Sequence, residues 1–161
     1  MKRILFFYII FFFAISNCGY EPIYSKNQNT NVEISKIYVK NIKDRSGQIL
    51  RNSLLNKINP ERERVIYKYR LIVEMSESKS SLAYRKDMSA TRTDLEITAN
   101  YFLSDIKNEN ILIKEEIKST TSFDVVESVY ATLIAEKDAR EKSLQVISED
   151  IFTNLVIFFK N

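Results

Sequence analysis

The stretch AISNCGYEPIY, residues 14 to 24, holds the one cysteine of the chain, Cys18, directly after a run of apolar residues. Cys18 is therefore the only thiol available for nucleophilic, redox or acylation chemistry. The chain has no histidine, which removes Ser-His-Asp and Cys-His machinery, imidazole metal ligands and imidazole proton shuttles. A single cysteine allows neither an intramolecular disulfide nor a cysteine-rich zinc site. The two glycines, Gly19 and Gly47, are too few for a glycine-rich phosphate loop. Carboxylate pairs remain, Asp87 with Asp94 and Glu115 with Glu116. Adjacent residues of a strand point to opposite faces, so Glu115 and Glu116 cannot share one site. No catalytic residue and no metal site is expected, and an enzyme is not the reading the sequence favours.

Cys18 has a clearer use. Lys2 and Arg3 form a short positive segment, and ILFFYIIFFFAI (4–15) is an apolar core. Twelve residues fit the roughly 7–15 of a signal peptide and fall short of the roughly 20 that span a bilayer. The junction Ile15-Ser16-Asn17-Cys18 resembles a bacterial lipobox, with an aliphatic residue at −3, a small residue at −2 and Asn17 where Gly or Ala is usual. This predicts a cleaved signal peptide over 1–17 and a mature chain that starts at Cys18, with an S-diacylglycerol and an N-acyl group. One acyl chain holds a membrane only marginally, whereas three make dissociation negligible. Gly19 at +2 is not the Asp that retains many lipoproteins at the inner membrane. The expected address is the outer membrane, lipid-anchored on its periplasmic side. No other cofactor is expected.

Charge narrows the partners. Removing Lys2 and Arg3 from the 24 basic residues leaves 22 against 21 acidic ones, a difference of +1. That balance lacks the basic excess of a nucleic-acid binder. With 45% hydrophobic and 28% charged residues over 161 positions, the chain has the composition and length of one globular domain.

The elements that must position these residues follow from periodicity. Residues 18–31 are polar with one proline and read as a tether, leaving 32–161 as a single domain. VEISKIYVKNI (32–42) reads as a strand whose apolar phase slips between Ile34 and Ile37, as at a bulge. DRSGQILRNSLLNKI (44–58) is a helix with Leu50, Leu54 and Ile58 on one face, Asp44 or Ser46 as its cap and Pro60 as its stop. Tyr67, Tyr69, Leu71, Val73 and Met75 alternate along a second strand. Leu95, Ile97, Ala99, Tyr101 and Leu103 alternate along a third, which bends or breaks near 87–89. Lys107–Asn110 turns into a fourth strand with Ile111, Ile113 and Ile117 on one face. From Val126 the period becomes helical, with Val129, Leu133, Leu144, Ile147, Ile151, Leu155 and Phe158 in one stripe. Glu136–Arg140 and Asp138–Lys142 are expected ion pairs along it. The expected fold is α+β, a two-layer α/β sandwich in the order β-α-β-β-β-α. Its antiparallel-rich, mixed sheet of about four strands carries both helices on one face.

CGYEPIYS, DRSGQILRNSLLNKI, YRLIV, TRTDLEITANYFLSD and SVYATLIAEKDAREKSLQVISEDIFTNL, in this order and spacing, resemble the LPS-assembly lipoprotein family (LptE), its alphaproteobacterial members above all. The resemblance covers 18–155. It implies a non-enzymatic outer-membrane lipoprotein that plugs and assists assembly of the β-barrel LptD and takes part in delivering lipopolysaccharide to the outer leaflet. The implied partners are thus the LptD barrel, lipopolysaccharide and, through the anchor, the membrane. Lipopolysaccharide carries phosphates, so its site, or a barrel contact, should offer basic side chains with open donors. Arg85, Lys86 and Arg92 are the best local candidates. An auxiliary lipoprotein of an ABC-type envelope lipid transporter is the alternative, since a strand leading into an R-x-G-Q-I-L helix (45–50) fits that class too.

Overall fold

The computed structural model describes residues 28–84 and 90–160. The expected signal peptide, Cys18, most of the expected tether, Arg85, Lys86 and the expected break at 87–89 lie outside the described residues. Seven elements follow in order: α1 (Gln28–Ser35), β1 (Ile37–Val39), α2 (Asp44–Ile58), β2 (Tyr69–Tyr84), β3 (Ala90–Asp105), β4 (Ile111–Asp124) and α3 (Val129–Lys160). The sheet order is β1-β2-β3-β4, with β1 parallel to β2 and the other pairs antiparallel. The fold is α+β with a mixed four-stranded sheet, as expected, and has one helix more than the sequence reading assigned.

That extra helix explains the phase slip at Ile34. The segment 32–42 is not one bulged strand. It is the last turn of α1 followed by three residues of β1. Ile34 and Ile37 are both buried because the period changes between them, from helical to alternating. α1 starts at Gln28, inside the segment read as tether. Lys36 and Lys68 both reach the Glu33 carboxylate, at 2.6 and 3.6 Å, which fastens α1 to the start of β2.

α2 buries Leu50, Leu54 and Ile58 as its spacing requires. Its N-cap is Lys43, without a side-chain cap bond, so neither Asp44 nor Ser46 caps it. Asp44 instead has φ 66°, and the turn is made in the backbone. Gly47 faces that turn closely: a Cβ there would stand 2.6 Å from Ile42 Cγ2 and 2.9 Å from the Ile42 carbonyl carbon.

β2 and β3 stay in register from Tyr69↔Asp105 to Ser81↔Thr93, and irregular pairing begins only at Ala83. Leu71, Val73, Leu95, Ile97, Tyr101 and Leu103 are buried against the helices. Tyr67 precedes β2, is exposed, and meets Tyr38 edge-on at 5.4 Å, so it does not join the Tyr69–Met75 face. Asp105 shapes the β3–β4 turn by accepting the N–H groups of Lys107 and Asn108 at 2.7 and 3.3 Å. A shift between Leu103 and Ser104 pairs Leu103 with Ile113 and Ser104 with Ile111. That shift puts Ile111 out of phase, exposed to solvent, while Ile113 is buried.

α3 is 32 residues, about 48 Å at roughly 1.5 Å per residue, and it spans the long hairpin from end to end. α2 has 15 residues and covers only the half of the sheet nearest Tyr69. The helix layer is therefore two helices wide at the Tyr69 end of β2 and one at its Tyr84 end. Among the described residues, no helix is long and apolar enough to cross a membrane.

Candidate functional site

The stripe read on α3 keeps its phase along the helix and changes its surroundings. Eighteen residues make five full turns at about 3.6 per turn, so Val129 and Ile147 share a face, as do Leu133 and Ile151. Ile147 and Ile151 are completely buried under α2 and the sheet, whereas Val129 is 73% and Leu133 57% exposed. Tyr130 and Ile134, in phase with Ser148 and Phe152, are exposed too. Val129 and Leu133 are thus not core residues, because α2 ends before it can reach them. At the other end Phe158 also turns outward, and Phe159 makes the core contact instead, 5.0 Å from the Tyr69 ring. The result is an apolar strip of four side chains beside the hairpin end, continued by exposed Val126.

The hairpin end is braced from the same helix. Glu77 and Lys79 continue the helix-facing side of β2 beyond α2. Arg140 grips Glu77 through two nitrogens, at 2.7 and 3.0 Å, and Glu136 at 2.5 Å. Lys79 reaches the same Glu136 oxygen at 2.6 Å. The expected Glu136–Arg140 pair is therefore part of a four-residue network, while Asp138–Lys142 is a separate surface pair at 2.7 Å. Hydrogen bonding from Arg140 lowers the Glu77 pKa below its ordinary value, and that from Lys79, then Arg140, lowers Glu136.

A second polar cluster closes the helix-facing side of β4. The Tyr101 hydroxyl donates to Glu115 Oε2 at 2.5 Å, and Asn154 Nδ2 donates to that oxygen at 2.8 Å. Burial, and then donation to Glu115, push the Tyr101 pKa well above its ordinary 10. Glu116 lies on the opposite face, 3.3 Å from Lys118, so the two adjacent glutamates form no dyad. Among the described residues no group of acidic side chains could hold a metal ion.

Arg92 stands exposed on the open face of β3, across from Asp124 on β4. Its same-face neighbours on β3 are Asp94 and Glu96, and Ser122 donates to Asp94 at 2.5 Å. That surroundings mix charge signs. The rest of the open face is mixed: Ser76, Ser78 and Ser80 line β2, Ile72, Phe102 and exposed Ile111 stand toward its other end, and Lys114 lies 5.6 Å over the Phe102 ring. Of the four residues read from sequence, Cys18, Arg85 and Lys86 fall outside the described residues. The bracing network was missed because its partners are 57 and 63 residues apart.

The LptE lipopolysaccharide-assembly model matches residues 34–157. Protein RP188 of Rickettsia prowazekii (strain Madrid E) is 27% identical over 153 residues, 95% of this chain and 96% of its own. Among solved structures, a lipoprotein from Caulobacter crescentus CB15 superposes with a TM-score of 0.68 at 19% identity, over 83% of this chain and 98% of that one. A minor lipoprotein from Acinetobacter baumannii gives 0.60 at 12% identity, over 76% and 92%. Rare lipoprotein B from Shewanella oneidensis gives 0.56 at 9% identity, over 74% and 90%. These structures share the fold, and the family match extends from α1 into the last turns of α3. The chain belongs to the LptE lipopolysaccharide-assembly family, whose members are lipoproteins of the envelope, not enzymes, and carry no cofactor.

Proposed function

We propose that this protein is the lipid-anchored plug of the LptD barrel, assists assembly of that barrel, and takes part in passing lipopolysaccharide to the outer leaflet. The family match over residues 34–157 carries this reading. Two features of the fold support it. Barrel lumens are polar, and the open sheet face offers serine, threonine and paired charges of both signs. The uncovered strip Val129–Ile134 supplies apolar contact area at one end, where a barrel wall or an acyl chain would meet it. Cys18 carries the acyl chains and keeps the domain at the periplasmic mouth, at high effective concentration, so modest contacts suffice. Arg85, Lys86 and Arg92 provide the cationic contacts to lipopolysaccharide phosphates or to the barrel.

Purification of the protein from gently solubilised outer membrane tests the plug reading: a stoichiometric β-barrel is expected, and an inner-membrane transporter complex in its place would defeat it. Simultaneous charge reversal of Arg85, Lys86 and Arg92 is expected to weaken lipopolysaccharide binding in a salt-sensitive way. Unchanged binding at low salt would remove these three residues from the site.

A further inference from the structure

β1 leaves most of the β2 edge unpaired. Tyr69 N–H bonds to Lys36, and Lys40 N–H bonds to Leu71 C=O at 2.9 Å, after which the chain turns away to α2. Odd-numbered residues of β2 thus aim their backbone groups at this edge, and even-numbered ones bond to β3. Beyond Leu71 no backbone partner for the edge groups of Val73, Met75, Glu77 and Lys79 occurs among the described residues. Among the described residues the run without an edge partner is Ile72 to Ser81, ten residues before the pairing with β3 becomes irregular.

Exposed edges are usually guarded by charged side chains. Of the three charged side chains in this run of β2, Glu77 and Lys79 are drawn onto α3 by Glu136 and Arg140, and Glu74 alone stays exposed on the open side. The opposite edge, β4, keeps Lys114, Glu116 and Lys118 exposed. Beside the β2 edge runs a groove of about 490 Å³, with Ile42, Val73 and Met75 among its lining residues on the helix side. On the other side stand Ile72, Glu74, Ser76, Ser78 and Ser80. A strand added here would place one face against Ile42, Val73 and Met75 and the other beside Glu74 and the serine hydroxyls.

We infer that the free edge of β2 pairs with an incoming β-strand, and that this strand is a transmembrane-type segment of an outer-membrane barrel that has not yet closed. Strands of that class are about 9–11 residues long and alternate apolar with polar side chains. Both properties match this edge. Main-chain hydrogen bonds supply the affinity, and the two unlike faces select alternating sequences. A closed barrel has no free edge, so the pairing belongs to assembly and ends with it. The inference rests on the proposed role as barrel assembly partner.

Proline separates the edge from the fold. At Met75 it removes an outward N–H and leaves the β2–β3 ladder intact, as edge strands tolerate. The probe is a fluorescein-labelled ten-residue peptide of alternating valine and threonine with a terminal lysine, titrated into the full chain and followed by anisotropy. Saturable binding is expected, weakened at least tenfold by Met75→Pro and unchanged by Glu116→Pro on β4. Equal loss in both variants, or none in Met75→Pro, would overturn the inference. Should Met75→Pro not fold, Ser78→Lys with Ser80→Lys guards the same edge and is expected to cause the same loss. Sedimentation showing dimers that Met75→Pro abolishes would make a second copy the occupant and would also defeat it. In cells, Met75→Pro is expected to lower the amount of assembled barrel. Wild type that recovers no barrel defeats the plug reading. A barrel recovered equally with both proteins defeats only the strand pairing.

Discussion

Arg140 and Gly47 show how much single residues contribute here. Arg140 holds Glu77 and Glu136 while partly open to solvent, so the bond energies are reduced by screening. Arg140→Met is expected to cost about 1 kcal/mol, measured by urea denaturation at neutral pH. Both carboxylates have folded pKa values below the ordinary 4.5. Their contribution is thus fully present above pH 4.5 and is lost as pH falls through the lowered folded values. The gap between wild type and Arg140→Met should close over that acid range. Tyr101 has the opposite sign. Its raised pKa makes a contribution that is present below pH 10 and is lost as pH rises beyond it. Absorbance titration is expected to show one tyrosine that stays protonated until alkaline unfolding. Gly47→Ala gains up to about 1 kcal/mol of helix propensity and forces a Cβ into Ile42. Because a backbone carbon is among the atoms met, the clash should win, with a net loss of about 1–3 kcal/mol.

At the level of elements, α3 contains its own control. Leu133 and Ile151 lie on one face of one helix, and only Ile151 has α2 beside it. Ile151→Ala is expected to cost about 2–5 kcal/mol. Leu133→Asp should change stability by less than about 0.5 kcal/mol, as surface substitutions do, and yet reduce the barrel recovered with the protein. Equal recovery would take the strip out of the barrel contact. Both residues were legible in the sequence as members of one apolar stripe, and the stripe is real. The bounds of α2 were legible too, its start at Asp44 being the end nearer the strip. That 15 residues beside 32 leave the strip uncovered follows from the two facts taken together. The phase slip at Ile34 was visible as well, but a helix-to-strand change and a bulge leave the same mark on a short apolar pattern.

At the scale of the whole molecule, the family is one of contact without chemistry, and the proposed anchor is Cys18. Mass spectrometry of the mature protein is expected to find Cys18 as its first residue, with both acyl modifications, and Cys18→Ser should release the protein from membranes. The absence of histidine, the lone cysteine and the glycine count limit the available chemistry by composition alone. Alternation in 69–75 and 95–103 and the four-residue spacing of 50–58 set the strands and α2, because these periods are local and each side chain needs only its neighbours to declare a face. What remained depended on residues distant in the chain. The Glu77–Arg140 and Tyr101–Asn154 contacts join positions 63 and 53 residues apart. Among the described residues, the exposed strip and the unpaired β2 edge exist because elements of unequal length were packed together: α2 covers only part of α3, and three residues of β1 lie against sixteen of β2. Burial and edge exposure are properties of the assembled layers, so only the tertiary structure could decide them.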